Sequence, residues 1–279
     1  MTVGIGVRGR ILQLLGNAVL LIGVFLTIMP FVYMVSASFK PGSELFSIPV
    51  RVLPDDLYLG NYELLFGETS FLRWFANSVF VALARTVIAI TLSLMAGYAF
   101  AKFEFRFKRP LFLLVIATLT LPLYVILVPL FSMMATLGWM DTYWALILPF
   151  TAQAIGIFLA RQQLLGIPNE LLEAARIDGA SEWGIFTRIV VPLAQPVIAV
   201  MGILFFTASW NDYIWPLIVL TSDEKFTVSL GLPSLIGPYD QEYGAVMAGS
   251  FLGTLPIVII FLIFQRRFIE GIMAGALKG

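Results

Sequence analysis

Residues 11–35 run for twenty-five positions without a single charged side chain, and that constrains this chain more than anything else in it. About twenty apolar residues are enough for a helix to cross the hydrocarbon core of a bilayer. Inside hydrocarbon every backbone N–H and C=O must find its partner within the segment, so the run is read as a spanning helix. A cleaved signal peptide is the competing reading, because Ser36, Ala37 and Ser38 resemble a small-residue cleavage site. Its apolar region is usually only about 7 to 15 residues long, so an uncleaved first helix is expected.

Further runs of the same kind follow. With 59% hydrophobic and 12% charged residues and a mean hydropathy of +0.94, the whole chain reads as one all-α polytopic membrane domain, 1–279. The expected spans are 11–37, 75–101, 110–137, 143–164, 193–220 and 244–264. Residues 39–73 are punctuated by Pro41, Pro49, Pro54, Asp55, Asp56 and Asn61, which suits an extramembrane loop with a short surface helix. Pro110 falls in the first turn of the third span, where proline costs nothing. Residues 138–142 form a tight return loop. Between the fifth and sixth spans, residues 227–230 are expected to be extended.

Orientation follows from the placement of Lys and Arg. Twelve lie in the leader, 102–109, 161–192 and the tail, against four (Lys40, Arg51, Arg73, Lys225) on the other side, and Arg85 inside a span completes the seventeen. Both termini are therefore expected in the cytoplasm, as in a multi-pass protein of a prokaryotic plasma membrane. The chain has no Cys and no His, which excludes disulfides, thiolate catalysis, the usual zinc sites and imidazole acid–base chemistry. It also lacks GxxxxGK[ST], so it holds no Walker phosphate cradle. Zero net charge and a pI near 6.3 give no basic face for nucleic acid. No internal repeat is visible, which argues against a secondary transporter of inverted repeats.

One long stretch, 169–196, is polar and helix-patterned. Asn169 after Pro168 suits a helix cap, with Glu170 and Glu173 near the positive end of the dipole. Gly179 after Asp178 suits a left-handed stop. Ser181 then caps a second helix whose Ile185, Phe186, Ile189 and Val190 form an apolar stripe, with Pro192 marking its end. Small residues, Ala174, Ala175, Gly179 and Ala180, leave backbone open to a docking surface.

Glu173-Ala174-Ala175, then Asp178-Gly179-Ala180, Phe186, Ile189, Pro192 and Pro196 resemble the EAA loop of ABC importer permeases. The resemblance implies a type I permease fold with a cytoplasmic coupling helix-turn-helix at 169–192, seated in a cleft of the ATPase subunit. Ser38-Phe39-Lys40, Asn77-Ser78, residues 97–105, Trp210-Asn211-Asp212 and the tail 265–279 are similar to the carbohydrate branch, specifically the six-helix MalG-type subunit of maltose-like importers. This implies a second permease subunit, two ATPase subunits that use ATP and Mg, an extracytoplasmic solute-binding protein and a sugar-like solute. It implies no bound cofactor, no metal and no catalytic residue in this chain. In that family the tail reaches between the ATPases, and Gly271, Gly275, Lys278 and Gly279 fit a flexible, polar-ended segment. A secondary transporter or channel would share the helices but has no use for such a docking loop, and a membrane enzyme would need ionisable groups that the spans do not hold.

Polar residues within spans are functional candidates because they are costly in hydrocarbon. Arg85 lies eleven residues beyond Trp74, roughly 16 Å deep at 1.5 Å per residue, near the midplane. Asp212, nineteen residues beyond Leu193, falls roughly 28 Å from the other face, so a direct pair requires a broken fifth helix or displaced boundaries. Arg85 then lines the solute path, pairs with a second subunit or makes a structural contact. Asn77, Tyr124, Gln153, Asn211 and Tyr213 are candidates to bond a polyhydroxylated solute, as are main-chain groups freed by Pro122 and Pro129. For Trp210, Tyr213 and Trp215 an interfacial aromatic belt is the favoured reading, and for Asn77 and Gln153 interhelical hydrogen bonds are the alternative.

Overall fold

The structure, a computed structural model, describes residues 7–49, 51–237 and 242–276, with side chains for 12–49, 51–237 and 242–265. The described residues are overwhelmingly helical. Among the described residues three helices are long and apolar enough to cross a membrane unbroken, Leu12–Ala37, Phe71–Lys102 and Tyr243–Gln265. Three bent pairs pass the same test only when each is counted as one span: Lys108–Thr120 with Leu123–Thr136, Tyr143–Phe150 with Ala154–Leu165, and Glu182–Leu193 with Gln195–Trp210. The bends are 103°, 42° and 77°. The chain divides into two compact units, residues 1–71 with 232–254 and residues 72–231 with 255–279.

In the first unit the helix Val7–Ala37 presents, over residues 12–28, apolar side chains all round, as a helix in lipid does. Its end is held by polar groups from the following loop. Asn61 Nδ2 donates to Ser38 O at 2.9 Å and Lys40 O at 2.8 Å, satisfying carbonyls just beyond the helix end. Ser38 shares a hydrogen bond with the Tyr62 hydroxyl at 2.8 Å, and the buried Lys40 ammonium donates to Arg51 O. Ser36, Ala37 and Ser38 are therefore buried, where a signal-cleavage site would need exposure. The loop carries two short helices, Gly42–Leu45 and Gly60–Gly67. Gly244 lies against the Asn61 amide, and any side chain there would displace it.

The second unit is built around Phe71–Lys102, which starts four residues before the expected position. Among the described residues its core includes two large clusters. One gathers Leu94, Tyr98, Leu164, Leu172, Ile185 and Phe205. The other gathers Val81, Met134, Leu146, Phe150, Trp215 and Val219. The sharpest of the three breaks follows from proline chemistry. Leu121, with φ −83° and ψ 115°, is extended before Pro122, as a residue preceding proline prefers.

Pro192 does not end the second helix of 169–196. That helix runs through a π-helical turn, Phe186–Val190, to Leu193, and the bend falls at Ala194 before Pro196. A wider turn tolerates a proline whose missing N–H could not close an ordinary one. The expected fifth span, 193–220, is two helices, Gln195–Trp210 and Ile214–Val219. The expected extended stretch 227–230 lies within the helix Val228–Ser234 apart from Thr227, because Ser78 Oγ accepts from Val228 N–H at 2.8 Å and starts that turn. The tail is helical to Ala276 rather than irregular, while Lys278 and Gly279 lie outside the described residues.

Candidate functional site

The helix Asn169–Ile177 and the helix beginning at Glu182 form a helix-turn-helix whose inner face is part of the core. Leu172, Ile185, Phe186 and Val190 are buried there. The reversal is a Schellman turn: Ala180 N–H donates to Ala175 O at 3.0 Å, with Gly179 at φ +83°. Ser181 then caps the second helix, accepting from Gly184 N–H at 3.1 Å. Asn169 does not cap the first. Pro168 occupies the cap position, and Asn169 Oδ1 instead accepts from Lys102 Nζ at 2.9 Å, which also donates to Ile167 O at 2.5 Å. This ties the segment to the end of the Phe71–Lys102 helix.

The outer face is open. Glu173, Ala174, Asp178, Gly179 and Ala180 are exposed and Ala175 is half-buried, and no atom lies within 4 Å of where a Gly179 side chain would start. Two large apolar side chains, Ile177 at 86% and Trp183 at 61% exposure, flank the turn. The turn is also bridged by a salt link that the sequence pattern did not reveal. Arg176 Nε donates to Glu182 Oε1 at 2.6 Å, and Tyr98 Oη to Glu182 Oε2 at 3.4 Å. A spacing of six residues across a glycine turn follows no helical period, so only the folded turn brings this pair together.

Arg85 and Asp212 do pair, Nη1 to Oδ2 at 3.0 Å, with side chains 10% and 15% exposed. The Arg85 guanidinium also stacks over the Phe150 ring at 4.1 Å. The expected mismatch in depth disappears when both residues are measured from the other end. Arg85 precedes Lys102 by seventeen residues and Asp212 follows Gln195 by seventeen, roughly 26 Å in each case. Those ends meet in one cluster through Ala101 and Ala194. The helix is indeed broken beside Asp212, and the freed carbonyls of Trp210 and Asp212 accept from Ser229 Oγ at 3.1 and 3.0 Å. Asp212 Oδ1 in turn accepts from Trp215 N–H at 3.4 Å.

Asn77 is buried and its amide is fully engaged. It donates to Glu224 O and Phe226 O, both at 2.9 Å, and accepts from Tyr143 Oη at 2.8 Å. Tyr124 and Asn211 are exposed. Gln153 donates to Phe150 O at 2.6 Å, within its own bend rather than between helices. The aromatic belt is not seen at the tryptophans. Trp215 is fully buried and donates to Ala145 O at 2.8 Å, and Trp210 stacks on Phe206. Only Tyr213 of the three is exposed, because the helix break turns the two indoles inward.

A further polar centre escaped the sequence. Asp141, at φ +55°, accepts from Thr221 N–H at 3.0 Å, Ser222 N–H at 3.1 Å, Ser222 Oγ at 2.5 Å and Lys225 Nζ at 2.9 Å. Burial pushes its carboxyl up, but the Ser222, Lys225 and backbone donors outweigh burial and hold it well below the usual carboxylate range. Its partners lie eighty residues on, a distance no local motif encodes. Among the described residues no group of three or more acidic side chains could hold a metal ion.

Residues 89–273 match the family described as binding-protein-dependent transport system inner membrane component, a span that contains the whole helix-turn-helix. The chain belongs to that family. Its members named below are permease proteins, and a multi-pass membrane location follows for this chain. The arabinooligosaccharides transport system permease protein AraQ of Halalkalibacterium halodurans is 41% identical over 91% of this chain and 92% of that protein. The lactose transport system permease protein LacG of Rhizobium radiobacter is 35% identical over 97% and 98%. The sn-glycerol-3-phosphate transport system permease protein UgpE of Brucella abortus is 33% identical over 94% and 96%. In fold the chain is similar to a subunit of a bacterial ABC transporter involved in import of the acidic polysaccharide alginate, with a TM-score of 0.84 at 24% identity, over 96% of this chain and 100% of that one.

Proposed function

We propose that this chain is one of two permease subunits of an ATP-driven ABC importer that moves a sugar or sugar-like solute inward. The helix-turn-helix around Gly179 carries the reading: one face is locked into the core by Leu172, Ile185 and Val190, and the other is open and flanked by Ile177 and Trp183. A rigid element with one face in the helix bundle and one free face can pass a displacement of a docked ATPase to the spans. The relatives that support a carbohydrate are named for arabinooligosaccharides and lactose, with sn-glycerol-3-phosphate beside them. A solved structure of similar fold, with a TM-score of 0.62, holds a periplasmic protein loaded with an alginate pentasaccharide. It supports delivery of solute by an extracytoplasmic binding protein.

In this reading the six apolar segments each cross the membrane and both termini are cytoplasmic, an orientation that the twelve-to-four asymmetry of basic residues supports. Two partner ATPase subunits bind ATP and Mg, since this chain has no phosphate cradle of its own. Glu173, Ala174, Ala175, Asp178, Gly179 and Ala180 form the contact. Of the four path residues, Tyr124 and Asn211 present polar groups to solute, while Asn77 and Arg85 shape the wall through their partners.

The test uses a chain that has no Cys of its own. In the assembled transporter, Ile177→Cys is expected to cross-link through a short bifunctional reagent to a single Cys on the ATPase surface, and Asp56→Cys to label from outside intact cells. A transporter that imports its sugar yet never cross-links at position 177, from any ATPase surface position, would remove the coupling assignment.

A further inference from the structure

We infer that the cavity between the Phe71–Lys102 and Lys108–Ala117 helices and the Ala154–Leu165 helix binds the phosphate headgroup of an anionic phospholipid. The cavity measures about 710 Å³, and its lining includes Phe100, Phe105, Arg109, Phe112, Leu113 and Arg161. Its charge is unbalanced. Lys108 is matched by Glu104 at 2.8 Å, but among the described residues neither Arg109 nor Arg161 has a carboxylate partner.

Arg161 is held ready rather than left loose. Its Nε donates to Phe100 O at 3.3 Å and its guanidinium stacks over the Phe112 ring at 4.4 Å, which leaves its terminal nitrogens without a hydrogen-bond partner among the described residues. A planar guanidinium fixed in this way matches a phosphate better than a free ammonium would. The other wall is apolar: Phe100 packs against Phe105 at 5.7 Å and Phe112 at 5.4 Å between ring centroids, and Leu113 is exposed beside them. Two unmatched cations beside an aromatic and aliphatic wall fit a molecule with an anionic head and a hydrocarbon tail.

Position agrees with composition. The cavity sits where one apolar helix ends at Lys102 and the next begins at Lys108, the level of lipid headgroups. On the proposed orientation this is the cytoplasmic leaflet, whose anionic lipids draw basic pockets between spans. The inference rests on that orientation but not on the identity of the solute or the docking of the ATPase.

The full chain, purified in its assembled transporter and stripped of lipid in mild detergent, is titrated with phosphatidylglycerol, and bound lipid is counted by native mass spectrometry. Arg109→Gln with Arg161→Gln is expected to weaken binding about twenty-five-fold, each cation near an anionic lipid being worth about a factor of five. Arg51→Gln, outside the cavity, is expected to change nothing. Should the double variant fail to assemble, Arg109→Gln alone suffices, because its exposed side chain makes no hydrogen bond or ion pair among the described residues, and about a fivefold loss is expected. Unchanged phosphatidylglycerol binding in these variants overturns the site. So does equal binding of phosphatidylcholine, which would show that charge is not read. Displacement of phosphatidylglycerol by inorganic phosphate would assign the cavity to a soluble anion and overturn the lipid.

Discussion

Helix is interrupted at residues 178–181 and again at residues 211–213, and the two breaks are held by opposite means. At the first, the chain reverses in water: Gly179 takes the left-handed conformation and backbone groups cap one another, while the side chains stay exposed. At the second, the chain breaks inside the bundle. Ser229 covers the freed carbonyls, and Asp212 offers a buried carboxylate to Arg85. An exposed break needs only local chemistry, because water satisfies whatever the cap leaves over. A break within the apolar core must import its partners from distant segments. The first therefore leaves its side chains free to meet a docking partner, and the second resists change.

The largest effect is expected at the buried break. Asp212→Ala leaves the Arg85 guanidinium without its counter-charge, a loss of about 3–5 kcal/mol for a buried pair. Membrane abundance and thermal stability in detergent are expected to fall together. Replacing both partners, Arg85→Met with Asp212→Leu, is expected to restore most of the abundance, since an apolar pair of similar volume avoids the desolvation cost. Stability in Asp212→Ala equal to the parent would mean that the pair does not hold the break.

The same contrast separates what the sequence disclosed from what it hid. The Gly179 turn, the Ser181 cap and the Ile185–Val190 stripe were legible because each is written within a few residues. The Arg85–Asp212 pair is obscured when the depth of Arg85 is counted from Trp74 and that of Asp212 from Leu193, at opposite ends of the bundle; counted from Lys102 and Gln195 the two agree. Trp210 and Trp215 suit a belt by composition, which does not say that both indoles lie in the core beside a helix break. Asp141 carried no signal, its partners lying near Ser222 and Lys225.

At the exposed break the expected effect is on function rather than on the fold. Gly179→Asp costs roughly 1–2 kcal/mol of backbone strain in the left-handed conformation, and its new side chain enters open space in the chain itself. Abundance is expected to stay near parental. Against a docked ATPase the same side chain clashes and buries a charge without a partner, so uptake is expected to fail. Uptake at the parental rate with normal abundance would show that nothing docks on this turn.

The smallest effect tests whether the Asp141 centre behaves as a long-range clamp of the second kind although it lies outside the spans. Its carboxyl titrates below the usual range once folded, so its ionised form contributes stability that is fully present above the ordinary aspartate pKa of about 3.9. That contribution is lost as pH falls through the depressed folded value. Asp141→Asn keeps the tolerance for φ +55° that Asn shares with Asp, and it retains an oxygen for the Thr221 and Ser222 N–H groups. What it loses is the charge toward Lys225 and Ser222 Oγ, about 1 kcal/mol by the usual value of such bonds. The melting temperature of the variant is therefore expected to lie below that of the parent by a constant margin from pH 8 to pH 5, roughly, and to converge on it at pH values below about 4, where the parent's carboxylate begins to protonate in the unfolded chain. A margin that grew as the pH fell, or no margin at neutral pH, would show that the ion pair with Lys225 does not hold residues 221–225 against the 138–142 loop.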